Sequence, residues 1–396
     1  MLRKVRPLAR NLVGRILRSA FALFPVRKNK ILFYVHEKRG LCGNAKYIIR
    51  TLAKGKNLRT CRLRILYATR FPETVDAGLK KELGITVIKY PGIRYMHALA
   101  TCGLLVTDDG VSELYRKRRK QLFISSWHGG GVFKEVGLGT ARNADASEYL
   151  HSLYDSLDYM LVSCRQNVDD YSRAFNLDKE RIKLLGMPRT DILFAPASTK
   201  DAERRVRDFY SIPADKKIVL AAPTFRNDNV VFLESKEIET ILISLSELLG
   251  SRAVCLYRSH YLDSMAQSVP EGADIINASD YPDAQELVCA AAVLVSDYSS
   301  IMYDFALMKK PVFLLQRNAE EYVANNRSFF VAPAQWPFVI SGGISELCDS
   351  IRRFNRNLYE EKITGFMQEI GAADDGKSSE RSAAFIEELT LKNKEK

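Results

Sequence analysis

Ile31-Leu32-Phe33-Tyr34-Val35 is an unbroken apolar run of β-favouring residues. A strand with one wet face alternates polar and apolar residues. A run without alternation reads as a strand covered on both faces, as in parallel sheets. Similar runs follow at Arg64–Ala68, Thr86–Tyr90, Gly103–Thr107, Gln121–Ser125 and Tyr159–Ser163, with helical patterns such as Asn44–Ala53 between them. The pattern restarts with strand candidates at Lys217–Ala222, Ala253–Tyr257, Val293–Ser296 and Pro311–Leu315. Lys236–Leu249, Asp283–Ala291 and Ser300–Met308 read as the intervening helices. Strands alternating with helices predict an α/β fold with parallel sheets, here two doubly wound, Rossmann-like domains in tandem. Ala195–Asp201, with its Pro, Ser and Thr, is the linker candidate. The expected division is a basic helix over residues 1–29, a first domain over 30–195 and a second over 196–396. Ligands in such folds bind at the carboxyl ends of the strands, so the site is expected in the cleft between the domains.

A chain of 396 residues with 46% hydrophobic and 27% charged residues has the composition of a folded protein with a large core. Seven widely spaced cysteines, without a Cys-x-x-Cys pair, argue against a disulfide framework or a structural zinc site. They read as buried thiols, and the cytosol is the compartment they suit. The net charge is +12, but residues 1–30 carry nine basic residues and no acid, leaving +3 for the rest. A nucleic-acid-binding protein spreads its basic charge over the folded body, so nucleic acid is not an expected partner.

The basic segment has its own period. Leu2, Val5, Ala9, Leu12, Ile16, Ala20 and Leu23 recur every three or four residues. Arg3, Lys4, Arg10, Arg15 and Arg18 fall mainly opposite, and Pro25 ends the pattern. The segment is too interrupted to span a bilayer. A basic amphipathic helix suits an anionic membrane surface, and packing on the protein's own core is the alternative.

Chemistry-bearing residues stand after several of the predicted strands. Ser126-Trp127-His128-Gly129-Gly130-Gly131 puts a histidine beside a glycine loop, where it can take a proton from a hydroxyl while the backbone faces an anion. Arg258, Ser259 and His260 suit a diphosphate. Ser296-Asp297-Tyr298-Ser299-Ser300 opens a helix whose N–H groups and hydroxyls could hold an anion, or whose serines could simply cap it. Asp304 follows one turn on. Gly186-Met187-Pro188-Arg189-Thr190-Asp191 and Ala222-Pro223-Thr224-Phe225-Arg226 each carry an arginine that faces either a phosphate or a surface carboxylate. No metal-ligand cluster stands out. Asp108-Asp109 lacks the Asp-x-Asp spacing of metal-dependent sugar transferases.

Taken in order, Trp127–Gly131, Gly186–Asp191, Ala222–Arg226, Arg258–His260 and Ser296–Asp304 resemble the motifs of the teichoic-acid CDP-glycerol glycerophosphotransferase family. Tyr281–Leu287 and Asp375–Arg381 add weaker agreement, and the resemblance covers about residues 120–385. It implies a GT-B fold, and together with the basic amphipathic segment and the cytosolic cysteines the expected protein is a peripheral enzyme at the cytoplasmic face of the membrane. It implies transfer of glycerol phosphate or a related polyol phosphate from CDP-glycerol or CDP-ribitol to a lipid-linked teichoic-acid or capsule-type acceptor. No cofactor beyond the donor is implied. His128 matches the family's base, and His260 joins it as a catalytic residue. Trp127, Gly129, Gly130, Gly131, Arg189, Thr224, Phe225, Arg226, Arg258, Ser259, Ser299, Ser300 and Asp304 match donor-binding positions. Gly130-Gly131 stands where the family has Thr-Pro, so a more flexible loop is expected beside His128. Thr190 likewise replaces Asn. The chain lacks the long N-terminal extension of some polymerising members and resembles a primase-like single module. Two other readings remain: a GT-B glycosyltransferase using a nucleotide sugar, and a non-catalytic membrane-surface scaffold.

Overall fold

The computed structural model describes residues 14, 16–35, 40–55, 63–108, 110, 115–141, 143–224, 232–259, 270–317 and 319–395. Two parallel sheets organise the chain. The first contains β1 (Arg27–Tyr34), β2 (Arg64–Thr69), β3 (Thr86–Lys89), β4 (Cys102–Thr107), β5 (Leu122–Ser125), β6 (Tyr159–Val162) and β7 (Ile182–Leu184), in the order β3-β2-β1-β4-β5-β6-β7. The second contains β8 (Lys217–Ala221), β9 (Ala253–Tyr257), β10 (Ile275–Asn277), β11 (Val293–Ser296), β12 (Val312–Leu315) and β13 (Val339–Ser341), in the order β10-β9-β8-β11-β12-β13. Each order reverses direction once, between β1 and β4 and between β8 and β11. The reversal opens a crevice at the carboxyl ends of those strands.

The opening run behaves as its composition requires. Ile31, Leu32 and Phe33 are wholly buried, because helices cover both faces of β1. Their side chains divide between two cores, Leu32 and Tyr34 on one face and Ile31 and Phe33 on the other. The doubly wound α/β architecture expected from the sequence is present in both halves.

The connection between the halves differs from a flexible linker. Pro188–Phe194 forms a 3-10 helix and Pro196–Tyr210 an α-helix, so the Pro-Ser-Thr segment starts a helix with Pro196 in its first turn. The last helix, Ser378–Glu395, lies at the end of the expected second domain but packs on the first sheet. Its Ala383, Ile386 and Leu389 join Ile31, Phe33, Ile48 and Leu161 in one core, and the Phe385 ring meets Tyr159 edge-on at 5.1 Å. The chain therefore crosses between the halves twice. The two crossings are stitched together, because the Asp191 carboxylate accepts the N–H groups of Ser378 at 2.9 Å and Ser379 at 2.7 Å. A carboxylate on the free N–H groups of a helix start is favoured by hydrogen bonding and by the helix dipole.

Of the N-terminal helix, only Gly14 and residues 16–21 are described as helical; residues 1–13 and 15 lie outside the described residues. The described end rests on the helix Ile93–Thr101, where the rings of Phe21 and Phe24 stand edge-on to His97 at 5.3 and 5.4 Å. Among the described residues, no helix is long and apolar enough to cross a membrane. Six cysteines are described; all are buried, and none forms a disulfide among the described residues. Burial pushes the thiols of Cys102, Cys164, Cys255 and Cys289 up to about 12.

Candidate active site

His128 follows β5 and is exposed at the cleft. Its Nδ1 lies 3.0 Å from the backbone oxygen of Asp108, which follows β4. A carbonyl can only accept, so the contact requires the proton on Nδ1 and puts the lone pair of the neutral ring on Nε2. That is the tautomer a general base needs, held by a backbone atom of the adjacent strand end.

The loop carrying His128 is held from several sides. Trp127 adopts φ of 49°, an uncommon conformation for a bulky residue, and its ring stands edge-on to Phe175 at 5.1 Å. Asn44, wholly buried at the start of the helix Gly43–Lys54, supports this strained turn. Its Nδ2 donates to the backbone oxygens of Ser126 at 2.9 Å and Trp127 at 2.7 Å, and its Oδ1 accepts the Arg189 N–H at 3.1 Å. Arg189 Nη1 donates to the His128 backbone oxygen at 2.6 Å.

The glycine pair after His128 is packed, which corrects the expectation of a more flexible loop. A Cβ on Gly130 would lie 2.3 Å from Tyr303 Cδ1, and one on Gly131 would lie 2.5 Å from Phe133 Cε2. Gly131 has φ of 78°, donates its N–H to Ser163 Oγ at 2.9 Å and accepts from Asn167 Nδ2 at 2.9 Å. The close approach these glycines allow is to the Tyr303 ring, which is wholly buried. Gly129 instead faces the second half: a Cβ there would sit 3.5 Å from Ser300 Oγ, an ordinary contact.

Arg189 and Asp304 are paired with each other. Arg189 Nη2 lies 2.9 Å from Asp304 Oδ1, and Nε and Nη2 lie 3.3 and 3.2 Å from Oδ2. Gln285 Nε2 donates to the same Oδ2 at 2.7 Å. Both members of the pair are buried, so the Asp304 carboxylate, expected at a donor-binding position, is paired within the protein. The pair joins the helix Ile301–Leu307 of the second half to the His128 loop of the first. Sequence reasoning could not pair residues so far apart, and it missed Asn44 and Gln285 for the same reason. The only local signal of Asn44 is a polar residue in the first turn of a helix, and Gln285 lies within the Tyr281–Leu287 agreement without a role assigned to it.

The remaining candidates surround the crevice between β8 and β11. Thr224 donates its N–H to Asp297 Oδ1 at 2.8 Å, while its buried hydroxyl has no hydrogen-bond partner among the described residues. Ser299 and Ser300 are half-buried. Ser300 occupies the cap position of its helix without a capping side-chain bond, so its hydroxyl is not consumed by a cap. Arg258 Nη1 donates to the oxygens of Ala278 at 2.9 Å and Tyr281 at 2.8 Å. Its Nε and Nη2 have no partner among the described residues. Ser259 donates its N–H to Ser279 Oγ at 3.1 Å. Phe225, Arg226 and His260 lie outside the described residues.

Two charged side chains tie the halves together beside this site. Lys46 Nζ meets Asp283 Oδ2 at 2.5 Å and Glu286 Oε1 at 3.5 Å across the interface. Asp374 accepts from the Met187 N–H and Thr190 Oγ1, each at 2.7 Å, and from the Tyr303 hydroxyl at 2.6 Å. Burial raises its carboxyl to about 6, against the opposing pull of those hydrogen bonds.

Two parallel-sheet halves around a cleft, with an oriented imidazole on one rim and hydroxyls and an arginine on the other, have the layout of a GT-B-type group transferase. The matching family model, CDP-glycerol:poly(glycerophosphate) glycerophosphotransferase, spans residues 16–388, and the chain belongs to that family of transferases. It is 26% identical over 387 residues to the teichoic acid ribitol-phosphate primase of Bacillus spizizenii, with 96% of each chain covered. It is 27% identical over 306 residues to the teichoic acid poly(glycerol phosphate) polymerase of Staphylococcus epidermidis, covering 74% of this chain but only 42% of that protein. A solved structure of the wall teichoic acid polymerase TagF superposes with a TM-score of 0.83 at 24% identity, over 100% of this chain and 98% of that one, and shares the fold.

Proposed function

We propose that the protein transfers glycerol phosphate, or a related polyol phosphate, from a CDP-polyol to a hydroxyl of a lipid-linked teichoic-acid or capsule-type acceptor, releasing CMP. The acceptor oxygen attacks the phosphorus that bears the polyol as His128 Nε2 takes its proton. The bond from that phosphorus to the bridging oxygen breaks, and the electron pair leaves with CMP. Arg258 and the hydroxyls of Thr224, Ser299 and Ser300 face the charge that collects on the leaving phosphate. His260, Phe225 and Arg226 join the donor side. The donor is the only nucleotide required, and no further cofactor takes part. The reaction belongs at the cytoplasmic face of the membrane, with the protein attached peripherally.

The observation that carries this reading is the contact of His128 Nδ1 with the Asp108 oxygen, because it fixes the base-competent tautomer at the cleft. Relatives named as ribitol-phosphate primase and poly(glycerol phosphate) polymerase supply the donor class, and one TagF structure was obtained with CDPG. The test is CMP release from CDP-glycerol and CDP-ribitol, with acceptor present. His128→Gln should lower kcat by about 10²–10⁴ while the donor still binds. Activity should survive a chelator. Near-normal turnover by His128→Gln would remove the base, and turnover confined to UDP- or GDP-sugars would replace the donor.

A further inference from the structure

Besides Arg258, two cations near the cleft are left without carboxylate partners among the described residues: Lys134, six residues after His128, and Arg327, from the second half. They lie on segments that pair across the interface. Lys134 forms an antiparallel bridge with Phe329, flanked by hydrogen bonds of 2.9 Å from the Glu135 N–H to the Ser328 oxygen and from the Phe330 N–H to the Phe133 oxygen. Phe133 enters the second half's core, where its ring lies 5.3 Å from Trp336.

Two links put Lys134 at the crevice between β8 and β11. Its cross-strand partner Phe329 stacks on Tyr298 at 5.4 Å, and Tyr298 lies two residues past the end of β11, next to Asp297. The charges that act most on its ammonium are Arg327 and Asp297, and Asp297 accepts the Thr224 N–H at 2.8 Å just past the end of β8. The Asp297 carboxylate does not neutralise the lysine at contact distance. It is wholly buried and also accepts the Tyr298 N–H at 2.6 Å. Burial, and then Arg327, push the Lys134 ammonium down to about 8. In the same crevice, the buried Thr224 hydroxyl has no hydrogen-bond partner among the described residues. A half-buried ammonium repelled by a neighbouring arginine, and a buried hydroxyl with no partner among the described residues, are costly around one crevice unless an anion fills it.

We propose that Lys134 and Arg327, with the Thr224 hydroxyl, bind the diphosphate of the nucleotide donor, so that the donor's anion site is completed by a residue of the first half. This rests on the CDP-polyol reading above and extends it. The second half supplies the crevice, and the segment that carries the base also supplies a cation to the leaving group. Donor binding and placement of His128 are then coupled through six residues of chain.

The test is calorimetric titration of the full chain with CDP-glycerol, CDP-ribitol, CMP and cytidine. Lys134→Met keeps the length of the side chain and removes the charge. It should weaken CDP-polyol binding about 10- to 100-fold and leave cytidine binding unchanged, with Lys134→Arg recovering most of the loss. Arg327→Ala should weaken the same ligands by a smaller factor, because that side chain is exposed. A wild-type chain that binds neither CDP-polyol overturns the donor reading and this site with it. A wild-type chain that binds, with Lys134→Met binding equally well, overturns the Lys134 assignment alone. Equal loss for cytidine and for CDP-polyol in Lys134→Met also overturns it, since the effect would then not follow the phosphates.

Discussion

Asn44 shows how much of the site depends on one neutral side chain. Trp127 at φ of 49° costs about 1–2 kcal/mol relative to ordinary backbone, and the neighbouring carbonyls of Ser126 and Trp127 must be satisfied for it to persist. Asn44→Ala removes both donors at once. We expect stability to fall by about 1–3 kcal/mol. We also expect kcat to fall by about 10²-fold with little change in the donor KM, because displacement of the base costs the chemical step more than binding. Denaturant unfolding and steady-state kinetics on the same variant check both, and a wild-type kcat would show that the loop holds itself. At this scale the sequence exposed His128, because a histidine beside three glycines after a strand is a local pattern. It hid Asn44, Asp374 and the Arg189–Asp304 pair, because each acts on a partner brought close only by folding. The glycines themselves were legible as a close approach, but not as an approach to Tyr303.

Among elements, the long apolar strands were legible and the short ones were not. β1, β4, β9 and β12 lie within the sheets and are read directly from unbroken apolar runs. β7, β10 and β13 are edge strands of three residues, too short to show a period, and no run marked them. The most informative junction is where the Gly186–Asp191 segment meets the return crossing at Asp374. There the folded state raises the Asp374 carboxyl to about 6, whereas an unfolded chain titrates aspartate near 4. The folded protein therefore binds more protons than the unfolded chain between those values. This contribution to stability is fully present below about pH 4 and is lost as pH rises to about 6. Asp374→Asn removes the titration. Urea midpoints of the wild type, measured relative to this variant, should decline from pH 4 to pH 6.5, and a constant difference would show that Asp374 ionises at an ordinary pH.

For the whole molecule, the described N-terminal segment leaves a set of apolar side chains in water. Ile16 is 59% exposed, Leu23 87%, Phe24 52% and Ile93 62%. Basic residues from Arg116 to Lys120 lie nearby, with Arg118 donating to the Phe24 oxygen at 2.8 Å. Apolar side chains rimmed by arginine and lysine suit an anionic bilayer surface. We expect the full chain to sediment with phosphatidylglycerol vesicles and the double variant Ile16→Asp, Leu23→Asp to lose most of that binding. Unchanged sedimentation would mean that the segment only packs on the helix Ile93–Thr101. The fold class was legible at this scale because two strand-helix series follow one another in the chain. The partition was less so, because the helix Ser378–Glu395 follows the second series but completes the first.

That last helix sets the order in which the protein can mature on the ribosome. The strands of the first sheet end at Leu184, and the helix that covers Ile31 and Phe33 begins at Ser378. At about 5–20 residues per second, roughly ten to forty seconds of synthesis separate the two. Throughout that interval the face of the nascent sheet that bears Ile31 and Phe33 is covered only in part, by the helix Gly43–Lys54. The second half, whose strands all lie between the two crossings, can close first, so the half that emerges first is the half that finishes last.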